Sequence, residues 1–593
     1  MMKQFWSTVL GSFVGMWIAL MLFTIFSIVM GIALIGSMSN FSGGSTTKPV
    51  IEDQSVLHIN LYGSIEERNT DKTRIMAFLN DESMPNSLTD ILHSIKVAST
   101  DDRIKGIYIE CNGSLAGLTT LHEIRNALLK FKKDSNKFIY AYGDNIAEGD
   151  YYVASVADSI FINKIGVVDL HGIGGYNLFF KKLLDKLGIE MQVIRVGTFK
   201  SAVEPYILTE MSEANRLQTE HYLNNIWGEL CRGISESRNI GIDKINMLAD
   251  SITWLQNTEY ILANNLADES CYRNEFEQRL KVAIYGNENN DKEICLVEPY
   301  ELAAESASTG NNDKIALIYA VGEIDGSNDS GIISSELSEN ILDIAEDEDI
   351  KGVVLRINSP GGSAFGSEQI WAALEEVKKA GKPFAVSMGD MAASGGYYIA
   401  CGADRIFAEP TTFTGSIGVF GVIPCIETFV EDKIGITQSV VKTNANTEFP
   451  LMSKKMTPMQ RASMQRMVNE TYELFVARCA AGRHTTCDSI KRIAEGRVWD
   501  GISAKKIGLV DEFGDTQAAI NWVAEQAEIN NYDIITSPNE TFKLSSYIFQ
   551  YMEARVEHRL ELEANPFYKY HKEITNILSR EPIQCLMEPI EIR

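Results

Sequence analysis

Two long stretches of this chain match each other without a gap, so whatever the first folds into, the second must fold into as well. Residues 143–152 read Gly-Asp-Asn-Ile-Ala-Glu-Gly-Asp-Tyr-Tyr, and residues 389–398 read Gly-Asp-Met-Ala-Ala-Ser-Gly-Gly-Tyr-Tyr. Ile104-Lys105-Gly106 matches Ile350-Lys351-Gly352, and Ala157-Asp158 matches Ala403-Asp404, in the same register. The copies differ at one telling place: Glu148 stands where Ser394 stands. A duplicated unit that keeps its frame and changes a reactive residue points to chemistry confined to one copy.

Each copy alternates apolar strands with helical spacing. The strands fall at Val56–Leu61, Ile107–Cys111, Phe138–Tyr142 and Ile160–Ile162, and again at Ile315–Ala320, Val353–Ile357, Phe384–Met388 and Ile406–Ala408. Amphipathic stretches lie between them, at about 87–99 and 121–133, and at about 335–347 and 368–380. Short joins between strand and helix predict parallel sheets with right-handed crossovers, an α/β fold made twice. Chemistry in such sheets gathers beyond the carboxyl ends of the strands, where Ser394 lies.

At 593 residues the chain exceeds one core, since about 150 residues per domain is usual. A net charge of −26 argues against a nucleic-acid partner or an anionic membrane surface. The nine cysteines form no CxxC pair and no His/Cys cluster at metal-ligand spacing, so no metal or other cofactor is expected. No charged residue falls between Gln4 and Thr47, and most of this stretch is apolar. That is longer than the ~20 residues that span a bilayer, which predicts an uncleaved anchor. The expected organisation is a short cytoplasmic segment (1–12), a transmembrane anchor (13–38) and a linker (39–54). The first repeat (55–300), a join (301–313) and the second repeat (314–530) follow, and then a helical extension (531–593) with no assigned role. The body is expected outside the cytoplasm.

In the second copy Asn358-Ser359-Pro360-Gly361-Gly362 makes a tight turn after a strand, and its bare N–H groups could hold an oxyanion. The first copy has Asn112-Gly113-Ser114-Leu115-Ala116 there. Ser394 precedes Gly395-Gly396 at a strand-to-helix turn, which also suits a plain N-cap serine. A nucleophilic serine needs a base, and no Ser/His/Asp arrangement suggests itself. A buried, neutral lysine can take that role. Aligning the copies puts Lys200 of Gly197-Thr198-Phe199-Lys200-Ser201 opposite Asn446. One copy thus has the lysine without the serine, and the other the serine without that lysine.

Together these motifs resemble the signal peptide peptidase A (protease IV) family in its long form, membrane-anchored proteases of Clp/crotonase-like fold. The carriers are Gly-Thr-Phe-Lys200-Ser-Ala-Val-Glu-Pro-Tyr, Asn-Ser-Pro-Gly361-Gly362, Met-Ala-Ala-Ser394-Gly-Gly-Tyr-Tyr and Thr-Gly-Ser416-Ile-Gly-Val-Phe-Gly. The resemblance implies Ser394 as nucleophile, Lys200 as general base, Gly362 and Gly395 as oxyanion amides and Ser416 as the serine that orients the lysine. Leu170 holds the Ser416 position in the first copy. It also implies a homotetramer at the inner membrane that degrades remnant signal peptides. A crotonase-like acyl-CoA enzyme and a non-catalytic membrane scaffold stand as alternatives.

Overall fold

The computed structural model describes residues 51–587 except 71–72, 74–76, 78–83, 288–291, 305–309, 312, 327–330 and 539–582. The expected anchor at 13–38 lies outside the described residues. Among the described residues no helix is long and apolar enough to cross a membrane.

The first repeat is a six-stranded sheet built on β1 (Ser55–Gly63), β2 (Ile104–Ser114), β3 (Phe138–Ile146) and β4 (Ser159–Val168). Its order is β6-β4-β3-β2-β1-β7, all parallel, with the two-residue strands β6 (Glu269–Ser270) and β7 (Leu296–Val297) at the edges. β5 (Glu190–Arg195) leaves this sheet and pairs elsewhere. Side chains on both faces are buried, as a covered parallel sheet requires. Leu57, Ile59, Ile107 and Ile109 pack with Ile91, Ile95 and Ile124 from helices α1 (Leu88–Thr100) and α2 (Leu118–Asp134). Val56, Tyr108, Tyr142 and Phe161 pack on Phe276 across the other face.

The second repeat copies this plan with β8 (Lys314–Val321), β9 (Ile350–Ser359), β11 (Phe384–Ala393) and β12 (Arg405–Ala408). Its main path runs β15-β13-β11-β9-β8-β17, with β13 at Phe413–Gly415, β15 at Val498–Asp500 and β17 at Asp533–Ser537. The pairs are parallel except for antiparallel β13–β15. The strand-helix alternation read from the sequence is thus present twice. The join expected at 301–313 starts later, because Pro299–Ala304 is a helix whose Leu302 is fully buried against the first repeat's core.

The extension expected to be helical from 531 is corrected at two places. β17 adds in parallel to β8, where Ile534 and Ile535 extend the sheet. β18 (Ile583–Leu586) is a strand as well, its backbone taken up by two sheet edges rather than by helical turns. Those edges belong to β10 (Gly361–Ser363) and β14 (Phe420–Cys425) in a four-stranded sheet ordered β10-β18-β14-β5.

That small sheet ties the repeats together. β14 of the second repeat pairs antiparallel with β5 of the first, from Phe420↔Arg195 to Cys425↔Glu190. Polar locks reinforce the seam. Arg356, fully buried, donates to Glu67 through Nε at 2.9 Å and Nη2 at 3.3 Å. Its Nη1 lies 2.8 Å from Glu123 Oε1, within ion-pair range although not aligned as a hydrogen bond. Asp390 accepts from the Thr119 N–H at 2.8 Å and the Thr120 hydroxyl at 2.8 Å, capping α2 from the other repeat.

Candidate active site at the seam of the repeats

β11 ends at Ala393, and Ser394 turns the chain into helix α3 (Gly395–Ala400). Its backbone sits at φ 56°, ψ −112°, a region that costs a non-glycine residue about 1–3 kcal/mol. The Ser394 N–H is fixed to the Gly415 carbonyl at 2.8 Å. Ser394 occupies the N-cap position, yet its side chain makes no capping bond to that helix. It faces Lys200 of the first repeat instead.

Lys200 Nζ donates to Ser394 Oγ at 2.7 Å, to Ser416 Oγ at 3.1 Å and to the Ser416 carbonyl at 3.1 Å. All three residues are buried. Burial lowers the Lys200 pKa from 10.5 to about 7, and the neighbouring Cys585 thiol opposes that shift. Desolvation penalises the ammonium and not the amine, so a large share of the lysine is neutral near pH 7. Ser416 is itself pinned: its N–H bonds to the Arg497 carbonyl at 2.7 Å and its hydroxyl to the Gly496 carbonyl at 3.3 Å.

The lysine reaches across because two glycines let backbones touch. A Cβ on Gly496 (φ +78°) would lie 2.6 Å from Lys200 Cβ and 2.7 Å from its Cα. One on Gly197 (φ +105°) would lie 2.3 Å from the Glu495 carbonyl oxygen. The Phe199 N–H then bonds that same carbonyl at 2.9 Å. Gly496 was not singled out from the sequence. The signal was available, since aligning Ala249–Trp254 with Ala494–Trp499 puts Ser251 at its place in the first copy.

The turns that carry Gly362 and Gly395 also meet, at Gly361. A Cβ on Gly361 would lie 2.6 Å from the Gly395 nitrogen, and one on Gly362 (φ +150°) 2.1 Å from the Ile324 carbonyl oxygen. Both turns are packed too tightly for side chains.

The first repeat carries carboxylates at the equivalent turn. Glu148 accepts from the His171 and Gly172 N–H groups, each at 2.7 Å. Asp150 accepts from the Gly113 N–H at 2.9 Å and the Ser114 hydroxyl at 2.5 Å. Leu170 is buried there, and Asn446, the counterpart of Lys200, is exposed on the outside of the second repeat. Among the described residues no cluster of His, Cys, Asp and Glu could hold a metal ion.

Comparison with known proteins identifies the family. The family model for Peptidase family S49 matches twice, at residues 131–284 and 376–530. The chain is 34% identical over 508 residues to Protease 4 of Haemophilus influenzae, covering 83% of this chain and 82% of that one. It is 34% identical over 558 residues to Protease 4 of Salmonella typhi, covering 90% and 88%. The chloroplastic serine protease SPPA of Arabidopsis thaliana is 29% identical over 486 residues, covering 80% and 69%. Among solved structures, a ClpP1 mutant from Listeria monocytogenes aligns with 34% of this chain and 94% of its own, at a TM-score of 0.24 and 14% identity. A duplicated α/β fold with these relatives defines a hydrolase, a serine protease. The chain belongs to peptidase family S49, as the resemblance to signal peptide peptidase A implied, with the family domain present twice.

Proposed function

We propose that this protein is a membrane-anchored endopeptidase working through a Ser394–Lys200 dyad. The observation that carries the reading is the 2.7 Å contact between Lys200 Nζ and Ser394 Oγ, in a place dry enough to bring the lysine pKa to about 7. Neutral Lys200 takes the Ser394 proton as Oγ attacks a peptide carbonyl. Gly362 and Gly395 N–H groups stabilise the oxyanion, and losing one such donor typically costs about 3–4 kcal/mol. The Lys200 ammonium then protonates the departing amine, and water deprotonated by the same lysine releases the acyl group. Ser416 holds the amine in line.

The substrates are extended, apolar peptides, remnant signal peptides foremost. A tethered enzyme meets them where they are released. The apolar N-terminal stretch is read as the single-pass anchor in a bacterial inner membrane, with the body on the extracytoplasmic side and four chains assembling. Turnover of a fluorogenic peptide with a small apolar P1 residue tests the reading. Ser394→Ala and Lys200→Ala are each expected to lose more than 10³-fold in kcat/KM. Full activity in either variant rejects the dyad.

A further inference from the structure

The helix Glu213–Arg238 belongs to the first repeat, yet Gln218, His221, Tyr222 and Asn225 on one of its faces all reach the second. Their spacing is the stripe that one side of a helix presents. His221 bonds to Ser503, Asn225 to Asp500 and Ser503, and Tyr222 packs edge-on against Phe413. Gln218, only 2% exposed, does what the others do not. Its amide holds the lysine loop and a strand of the second repeat at once.

Gln218 Oε1 accepts from the Val498 N–H at 3.1 Å. A backbone N–H can only donate, so this contact fixes which way the amide lies. Nε2 then donates to the Phe199 carbonyl at 3.3 Å, to Ser201 Oγ at 3.3 Å and to Asn215 Oδ1 at 2.9 Å. Phe199 and Ser201 are the residues on either side of Lys200. Asn215 in turn donates to the Glu204 carboxylate at 3.3 Å, which brings the chain of bonds back to the segment that carries the lysine.

The far end reaches both serines. The Val498 N–H and the Arg497 carbonyl belong to one planar peptide group. That carbonyl accepts the Ser416 N–H at 2.7 Å. Val498 also pairs with Gly415, whose carbonyl accepts the Ser394 N–H at 2.8 Å. One buried amide therefore stands between the backbone around Lys200 and the backbone that fixes the two hydroxyls Nζ meets. The duplication supplies an independent sign. Ala249–Trp254 aligns with Ala494–Trp499, and the same offset lays Glu213–Arg238 on the helix Pro458–Gly482. Gln218 then falls on Ser463, so the copy without the lysine lacks the glutamine as well. Resting on the dyad reading above, we infer that Gln218 is a positioning residue for the reaction, the strut that sets the lysine loop of one repeat against Ser394 and Ser416 of the other.

The test is the pH profile of fluorogenic-peptide turnover by the full-length, detergent-purified chain, in Gln218→Met, Gln218→Glu, Asn225→Ala and Lys200→Ala. Methionine keeps the bulk and makes none of the bonds; glutamate keeps the acceptor for Val498 and gives up the Nε2 donors. Both are expected to lower kcat about 10²-fold at about pH 7.5, as a displacement of about 1 Å would, with KM within about twofold. The rising limb of log(kcat/KM) is expected to move to higher pH, because a loosened loop lets water reach the ammonium. Asn225 bonds across the same interface but not to the lysine loop. Asn225→Ala is therefore expected to keep the wild-type kcat and limb even if its thermal midpoint falls. Gln218 variants that fold and keep both overturn the inference and leave the dyad standing. A loss in Asn225→Ala equal to that in Gln218→Met also overturns it, since the effect then belongs to the whole interface. If Gln218→Met does not fold, Gln218→Glu decides alone. Full activity in Lys200→Ala rejects the dyad and this inference with it.

Discussion

Replacing Lys200 by methionine, read against pH, tests the dry lysine in two independent ways. With a pKa of about 7, about three quarters of the molecules carry a free amine at about pH 7.5, against about one in a thousand for an ordinary lysine. Burial therefore raises the working base about 10³-fold at that pH. In the wild type, log(kcat/KM) is expected to climb with unit slope to about pH 7 and flatten above it. The same shift has a sign in stability. Between the folded pKa near 7 and the ordinary value of 10.5, the unfolded chain binds more protons, so wild-type stability rises with pH across that window. Lys200→Met removes the penalty of the buried ammonium, a gain of up to about 5 kcal/mol near pH 6 that shrinks to about 2 kcal/mol near pH 9. The variant also loses the three hydrogen bonds of Nζ. That loss is nearly constant with pH, so the change of about 3 kcal/mol between the two pH values is the quantity to measure. Peptide kinetics and urea denaturation of both proteins across this range supply the data. A rate still climbing well above pH 9, or a stability gap that does not move with pH, refutes the neutral buried lysine.

Three further outcomes follow from the packing. Gly496→Ala puts a methyl within 2.6 Å of Lys200 Cβ, and a displacement of about 1 Å is expected to lower kcat about 10²-fold with the thermal midpoint much less affected; unchanged kcat rejects the role of that contact. Arg356→Met strands Glu67 and Glu123 inside the seam and should cost about 3–5 kcal/mol in denaturation, partly restored by adding Glu67→Gln. Glu148→Ser restores a serine to the first repeat but gives it no lysine, so a serine-directed covalent probe should still label Ser394 alone; labelling of the new serine would show that the dyad geometry is not required.

The strands and helices were legible because each is long, apolar on the right period and present twice, so one copy checked the other. The site residues were legible for a different reason. One copy lacks the serine and the other the lysine, and the structure brings Lys200 and Ser394 to 2.7 Å. What could not be read depends on contacts between distant segments. Nothing local in Glu495-Gly496-Arg497 says that a lysine backbone rests on the glycine. Asp150 looks like a surface residue of a helix, and only the fold turns it onto Gly113 and Ser114. Ile583–Leu586 is a four-residue strand after a charged stretch, and its edges are supplied by residues more than a hundred positions away.

The β5–β14 ladder has a bearing on synthesis. On the proposed dyad, a ribosome that has made the first repeat has released an amine with nothing to activate, and the serine arrives only with the second. Ser416, which receives the amine, is itself held by Gly496 and Arg497. On the proposed dyad, a chain without its second repeat has no nucleophile and cannot attack its neighbours.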